Sequence, residues 1–316
     1  MDLLKTIMVA VVSIVSSMFS TGVRLLRLPR SVALAARSLG SASATFNLPT
    51  IRQELEKFQG GSVELELDEQ SGIAVMTLNN PKRLNALTGK MMVDMADHIN
   101  SLERWTAGKG LVLVGTSGNF CSGGDLTFVR KALHYGEEMA AFQHNTLTRL
   151  LNLPLVSVAL LQGHALGGGA ELSTACDFRV MSSSARIGFV QIKMGVTTGW
   201  GATTRLVRLF GRQKALALLT SARVFSAEEA ATEGLVDHVL SYALQHEEEL
   251  AECKKWLASN YCCHDTDLSR AVKSSVVYSD LSRELVESLA NERRVFGQFW
   301  GGPAQKAALD AKIKHK

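Results

Sequence analysis

The chain has 316 residues, 46% of them hydrophobic and 20% charged, the balance of a globular protein able to bury a large core rather than of a disordered chain. The net charge of +4 sits in residues 1–48, where Lys5, Arg24, Arg27, Arg30 and Arg37 face Asp2 alone, and the remainder is balanced. Charge therefore gives no support for a nucleic-acid partner. Cys121, Cys176, Cys253, Cys262 and Cys263 are odd in number and lack both a disulfide framework and zinc-ligand spacing, so reduced thiols and no metal are expected.

Thr6 to Phe19 is apolar but short for a spanning helix, and Ser13, Ser16 and Ser17 interrupt it. Arginines then recur among Leu, Ala and Ser, with no acid between Asp2 and Glu54. That is the composition of a mitochondrial transit peptide, although the front also passes for a secretory signal. Residues 1–48 read as a leader outside the fold, with no stable membrane span.

Ile51 to Gln59 is amphipathic and stops at Gly60-Gly61. Val63 to Leu67 alternates with period two, and Ile73 to Leu78 follows Gln70-Ser71-Gly72, which predicts a hairpin ended by Pro81. Thr88 caps a helix to Leu102, whose Met91, Met92, Met95 and Ile99 recur at helical spacing and read as core. A buried strand is expected over 111–114, then a helical stretch from 126 to 151 with a break near Gly136, and a strand over 155–161. A helix after Gly169, short strands over 178–181 and 186–189, and helices over 203–210 and 213–219 follow. Ser226 with acids behind it caps another helix. From 243 the pattern is helical, with breaks near 260–265 and 301–303. The chain thus divides into a leader (1–48), a core (49–242) and a C-terminal helical region (243–316). Alternating strands and helices make it an α/β fold with a largely buried sheet.

Two strand-to-helix turns carry the chemistry. Gly163-His164-Ala165-Leu166-Gly167-Gly168-Gly169-Ala170-Glu171 joins an apolar strand to a helix start, where backbone N–H groups lie unpaired and favour negative charge. Asn119-Phe120-Cys121-Ser122-Gly123-Gly124-Asp125-Leu126 does the same after 110–115. Two such turns can each aim one N–H at a single oxygen, which is an oxyanion hole built from backbone.

With Asn79-Asn80-Pro81-Lys82-Arg83-Leu84-Asn85-Ala86-Leu87, these segments resemble the crotonase (enoyl-CoA hydratase/isomerase) superfamily in order and spacing. The resemblance runs from about Ser62 to Asp237 and more loosely beyond. It implies repeated ββα units wound into a spiral, which periodicity does not reveal. It also implies that Gly124 and Gly168 N–H grip a thioester oxygen, and that Lys82, Arg83, Leu84, Ala86, Ser122 and Leu126 line the coenzyme A groove. No cofactor is implied, since coenzyme A is part of the substrate. The family's trimers and hexamers are the expected assembly. Likeness to cytosolic members competes with the mitochondrial composition of the leader.

Enoyl-CoA hydratases hold a water between two glutamates. The first matches Glu171, but Gln191 occupies the second position, and an amide cannot act as a base. Segments 153–160, 199–207 and 300–304 resemble instead the members that decarboxylate ethylmalonyl-CoA and, more weakly, methylmalonyl-CoA, in metabolite repair. The products are butyryl-CoA or propionyl-CoA and carbon dioxide. That reaction needs no base, only a held enolate and a proton for the α-carbon. Glu171 is then expected to act as general acid or to orient substrate. Trp200 either walls the acyl pocket or packs in the core, and His164 is a candidate for substrate contact. An enoyl-CoA isomerase or hydratase, and a non-catalytic RNA-binding or scaffold homologue, are the competing readings.

Overall fold

The hairpin forms as expected, from β1 (Ser62–Asp68) and β2 (Ile73–Asn79), in a computed structural model of the chain. The structure describes residues 46–241, 246–282 and 284–300, with Pro303 and Gln305. Residues 1–45 of the expected leader lie outside the described residues, and from Asn47 onward the chain forms one unit that includes the C-terminal helices. β3 (Gly110–Gly115), β4 (Val156–Leu161), β6 (Phe178–Met181) and β9 (His238–Val239) extend β2 in parallel, giving a six-stranded sheet of order β1-β2-β3-β4-β6-β9. A second sheet joins β5 (His164–Leu166), β7 (Arg186–Gly188) and β8 (Phe225–Ser226).

Alternation divides the large sheet's side chains between two cores. Ala74, Met76, Leu78, Leu111, Leu113, Ala159 and Leu161 enter the larger one. There they meet α1 (Leu48–Glu56), α2 (Gly89–Arg104) and α4 (Gly136–Asn152), with Met91, Met92, Met95 and Ile99 fully buried. Ile73, Val75, Val112, Val114, Val158 and Leu160 enter the other, covered by Cys253 and Leu257 of α8 (His246–Asn260). Strands buried on both faces explain why 110–115 and 156–161 read as continuous apolar runs.

α2 starts where Thr88 accepts a hydrogen bond from Met91 N, and α7 (Ala227–Thr232) starts in a full capping box of Ser226 and Glu229. The helical stretch expected over 126–151 breaks next to Gly136 as anticipated: a 3-10 turn at Leu133–Tyr135 separates α3 (Leu126–Lys131) from α4. α6 (Ala202–Ser221) carries a non-helical Gly211 where two helices were expected. α9 (Thr266–Leu281) and α10 (Leu285–Phe299) complete the order, and the break expected near 260–265 falls between α8 and α9. Lys273 of α9 is buried against Asp177, whose other oxygen accepts from Ser157 N at 2.8 Å. Glu249 of α8 accepts from Gln162 at 2.6 Å and from Ser182. These bonds fasten the C-terminal helices to β4 and β6. Among the described residues no helix is long and apolar enough to cross a membrane. All five cysteines are free, and Cys263 alone of the five is exposed.

Candidate active site

Past the end of β3 the chain returns as a single strand-like thread through Cys121. Cys121 N donates to His164 O (2.9 Å) and Leu166 N donates to Cys121 O (3.0 Å), which ties the first glycine turn to the second. One step on, Leu87 N donates to Gly123 O and Asp125 N donates to Leu87 O, both at 2.8 Å. The residue between those two partners, Gly124, therefore turns its own N–H away from Leu87. Neither the Gly124 nor the Gly168 N–H donates a hydrogen bond among the described residues, and both glycines are half-buried. Gly123 brings the turns together: its φ is 110°, and a Cβ there would lie 3.2 Å from Gly168 N. The two expected oxyanion donors thus sit on touching segments.

Trp200 covers them. A Cβ on Gly168 would lie 2.4 Å from Trp200 Cζ3, and one on Gly124 would lie 3.9 Å from Cζ2. The indole is buried within the larger core, so it both packs and walls the glycines. The core packing expected of Trp200 is thus observed, with the ring lying against both glycines.

Glu171 stands in α5 (Gly168–Ser173), 2% exposed. Its Oε1 accepts from Gln191 Nε2 at 2.7 Å and from Gly199 N at 3.2 Å. Its Oε2 accepts from Trp200 N at 2.8 Å and from Ala202 N at 3.2 Å. Burial pushes the carboxyl above its ordinary value, and all four hydrogen bonds pull the other way. Gln191 Oε1 is buried and has no partner among the described residues. Arg205, on the first turn of α6, donates to Thr174 Oγ1 (2.8 Å), Glu171 O (3.0 Å) and Trp200 O (2.8 Å). Burial pushes its guanidinium down to about 10, against the charge of Glu171. The two buried charges compensate each other.

The remaining expected residues lie around the first turn. Lys82 and Arg83 are exposed on the 3-10 turn Pro81–Arg83, and Leu84 and Leu126 are exposed beside it. Ser122 Oγ donates to Arg83 O at 3.1 Å, and Ala86 is buried. Arg83 and Asp125 line a cleft of about 470 Å³ together with Lys57, Asn80, Phe128 and Lys131. Asp125 caps α3 by accepting from Phe128 N, so it shapes the turn. His164 is exposed and paired with Asn119 at 3.0 Å, apart from the Glu171–Gln191–Trp200 group.

Arg205 and Asn85 were not anticipated. Asn85, fully buried, donates to Thr116 O (2.9 Å) and Asn119 O (2.7 Å) and fastens the 80–87 turn to the end of β3. Its left-handed φ of 55° is one that asparagine tolerates, which is the one local signal it offers.

Comparison with known proteins agrees with this geometry. The model of the family described as enoyl-CoA hydratase/isomerase matches residues 68–311. Curated relatives include the ethylmalonyl-CoA decarboxylase of Danio rerio, 48% identical over 84% of this chain and 88% of that protein. That of Homo sapiens is 42% identical over 88% of this chain and 90% of that protein. Among solved structures, an enoyl-CoA hydratase from Bacillus anthracis has a TM-score of 0.68 at 26% identity, covering 80% of this chain and 95% of that one. A putative enoyl-CoA hydratase from Thermobifida fusca, in complex with acetoacetyl-CoA, has a TM-score of 0.66 at 25% identity and covers 79% and 98%. With two glycine turns in contact, a crotonase-type sheet and relatives matched over most of their length, the chain belongs to the enoyl-CoA hydratase/isomerase, or crotonase, family.

Proposed function

We propose that this protein is a carboxy-lyase that converts ethylmalonyl-CoA, and more slowly methylmalonyl-CoA, to butyryl-CoA or propionyl-CoA and carbon dioxide. The observation that carries this is the neutral Gln191 bonded to Glu171 beside two unengaged glycine N–H groups. An oxyanion hole without a second carboxylate suits a reaction that needs a stabilised enolate and no base. Relatives named ethylmalonyl-CoA decarboxylase support the same substrate.

The carboxylate of the substrate leaves as carbon dioxide, and the electrons of the broken C–C bond pass to the thioester carbonyl. Gly124 and Gly168 N–H hold the resulting enolate oxygen, each donor contributing about 10²–10³ in rate. The Trp200 face keeps water from solvating the departing carboxylate. One proton then returns to the α-carbon. Water is the favoured source, because the acceptor positions of Glu171 are already engaged.

The coenzyme A portion lies along Arg83, Leu84, Ala86, Ser122 and Leu126. Its phosphates are served by Lys57, Arg83 and Lys131 of the cleft, and by Lys82 next to Arg83 on the same turn. No metal or separate cofactor takes part. His164 stays a candidate for contact at the groove's edge. Copies assemble as a trimer or a pair of trimers, for which exposed Val272, Val276, Phe296 and Trp300, lining an apolar cleft between α9 and α10, are the support.

Incubation with ethylmalonyl-CoA is expected to yield butyryl-CoA and carbon dioxide by mass spectrometry, with crotonyl-CoA left unhydrated. Crotonyl-CoA hydration without decarboxylation would replace this reading with the hydratase one.

A further inference from the structure

We infer that Glu171 is a positioning residue in this reaction: its carboxylate latches the 199–202 turn and so holds the Trp200 indole against the two oxyanion glycines. The catalytic side of this inference rests on the decarboxylase reading, whereas its structural side stands alone.

A carboxylate offers about four acceptor positions, and four donors converge on this one: Gln191 Nε2 and the N–H groups of Gly199, Trp200 and Ala202. Three of the donors are backbone and cannot turn away. To carry a proton, Glu171 would have to present an O–H to one of these donors. A role as proton donor therefore breaks part of the site each time it operates.

The latch has a clear object. Glu171 lies at the end of the second glycine turn, and the turn it grips carries the indole that packs on Gly168 and Gly124. Gly201, with φ of 92°, gives the 199–202 segment little conformational preference of its own. Arg205 braces the same pair of segments from the other side, donating to both Glu171 O and Trp200 O. Removing the carboxylate would leave the buried N–H groups of Trp200 and Ala202 and the half-buried one of Gly199 unpaired, and the Arg205 charge uncompensated. The indole would then be free to leave the glycines.

An amide tests this cleanly. In Glu171→Gln, the side-chain carbonyl can still accept from Trp200 N and Ala202 N. The new NH₂ faces Gln191, whose side chain can rotate to offer its unpartnered Oε1. One hydrogen bond, from Gly199 N, is lost. The latch predicts kcat within about tenfold of wild type, the size of one unmade hydrogen bond. A proton donor predicts that Glu171→Gln is as impaired as Glu171→Ala.

The second readout is the indole itself. The protein is labelled with 5-fluorotryptophan, and the Trp200 resonance among the four tryptophans is assigned with Trp200→Phe. Glu171→Ala is expected to move that resonance toward its solvent-exposed position and to lower kcat about a hundredfold, as displacement beside reacting atoms does. Glu171→Gln is expected to leave it in place. Combining Glu171→Ala with Trp200→Ala is expected to cost no more than Trp200→Ala alone. A Glu171→Gln enzyme down about a hundredfold, with its Trp200 resonance unmoved, would overturn the latch and restore the proton donor. Should Glu171→Ala not fold, the Glu171→Gln comparison still decides. Should the wild type leave ethylmalonyl-CoA intact, the decarboxylase reading falls, while the fluorine spectra still test the latch.

Discussion

Gly168 and Gly124 differ in what surrounds them, and that difference orders their sensitivity to substitution. A methyl group at 168 meets the Trp200 ring at 2.4–2.9 Å, and the ring is itself held by the buried turn. A methyl group at 124 meets Val129 Cγ2 at 3.2 Å, the tip of an exposed side chain that can move. Gly168→Ala is therefore expected to lower kcat about a hundredfold by moving the wall or the donor, and Gly124→Ala by distinctly less. Steady-state kinetics on ethylmalonyl-CoA with both variants checks the order. At this scale the sequence was informative wherever a residue bears chemistry by its own type. Gly124, Gly168, Glu171 and Gln191 were each visible, and the structure brings them together. Arg205 and Asn85 were not visible, because they act through backbone carbonyls 31–34 positions away, as from Arg205 to Glu171 and from Asn85 to Asn119. No spacing rule reaches that far.

Elements with a long period were legible for the same reason that they are stable. α2 buries Met91, Met92, Met95, Ile99 and Leu102 on one face, and strands β2, β3 and β4 bury nearly every side chain. β5, β8 and β9 are two or three residues long and leave no periodicity to read. The break at Leu133–Tyr135, by contrast, was signalled by Gly136, at which the next helix begins. Attachment of the C-terminal helices rests partly on a polar joint that pattern cannot forecast. The Lys273 side chain is 7% exposed and the Asp177 side chain 21%. Removing the acid strands a buried cation, which costs about 3 kcal/mol. Asp177→Ala is thus expected to lower the urea unfolding free energy by about that amount. Lys273→Met, which keeps the apolar stem and leaves Asp177 its two bonds to Ser157, is expected to cost less.

The whole molecule was the least legible level. The two sheets and the isolated bridges from Leu87 to Gly124 and from Cys121 to Ala165 are non-local. Resemblance to a known family supplied the spiral that composition and period could not. The proposed assembly belongs to this scale as well. α9 and α10 enclose an apolar cleft of about 1040 Å³. An apolar surface of that kind is costly to leave in water. Val276→Glu combined with Phe296→Glu is expected to yield monomers in sedimentation velocity while far-ultraviolet dichroism stays unchanged. An unaltered sedimentation coefficient would place the subunit contact elsewhere.

The distribution of cysteines has a practical side. Cys121, in the first glycine turn, is fully buried, and burial pushes its thiol up to about 12. Cys176 and Cys253 are pushed as high, and Cys262 to about 11. Thiolate is the reactive form, so an alkylating reagent meets Cys263 and finds the others closed. The cysteine closest to the chemistry is shielded by the same backbone contacts that align the two glycines. A dye placed on Cys263, between α8 and α9, would follow the docking of the C-terminal helices without disturbing the site.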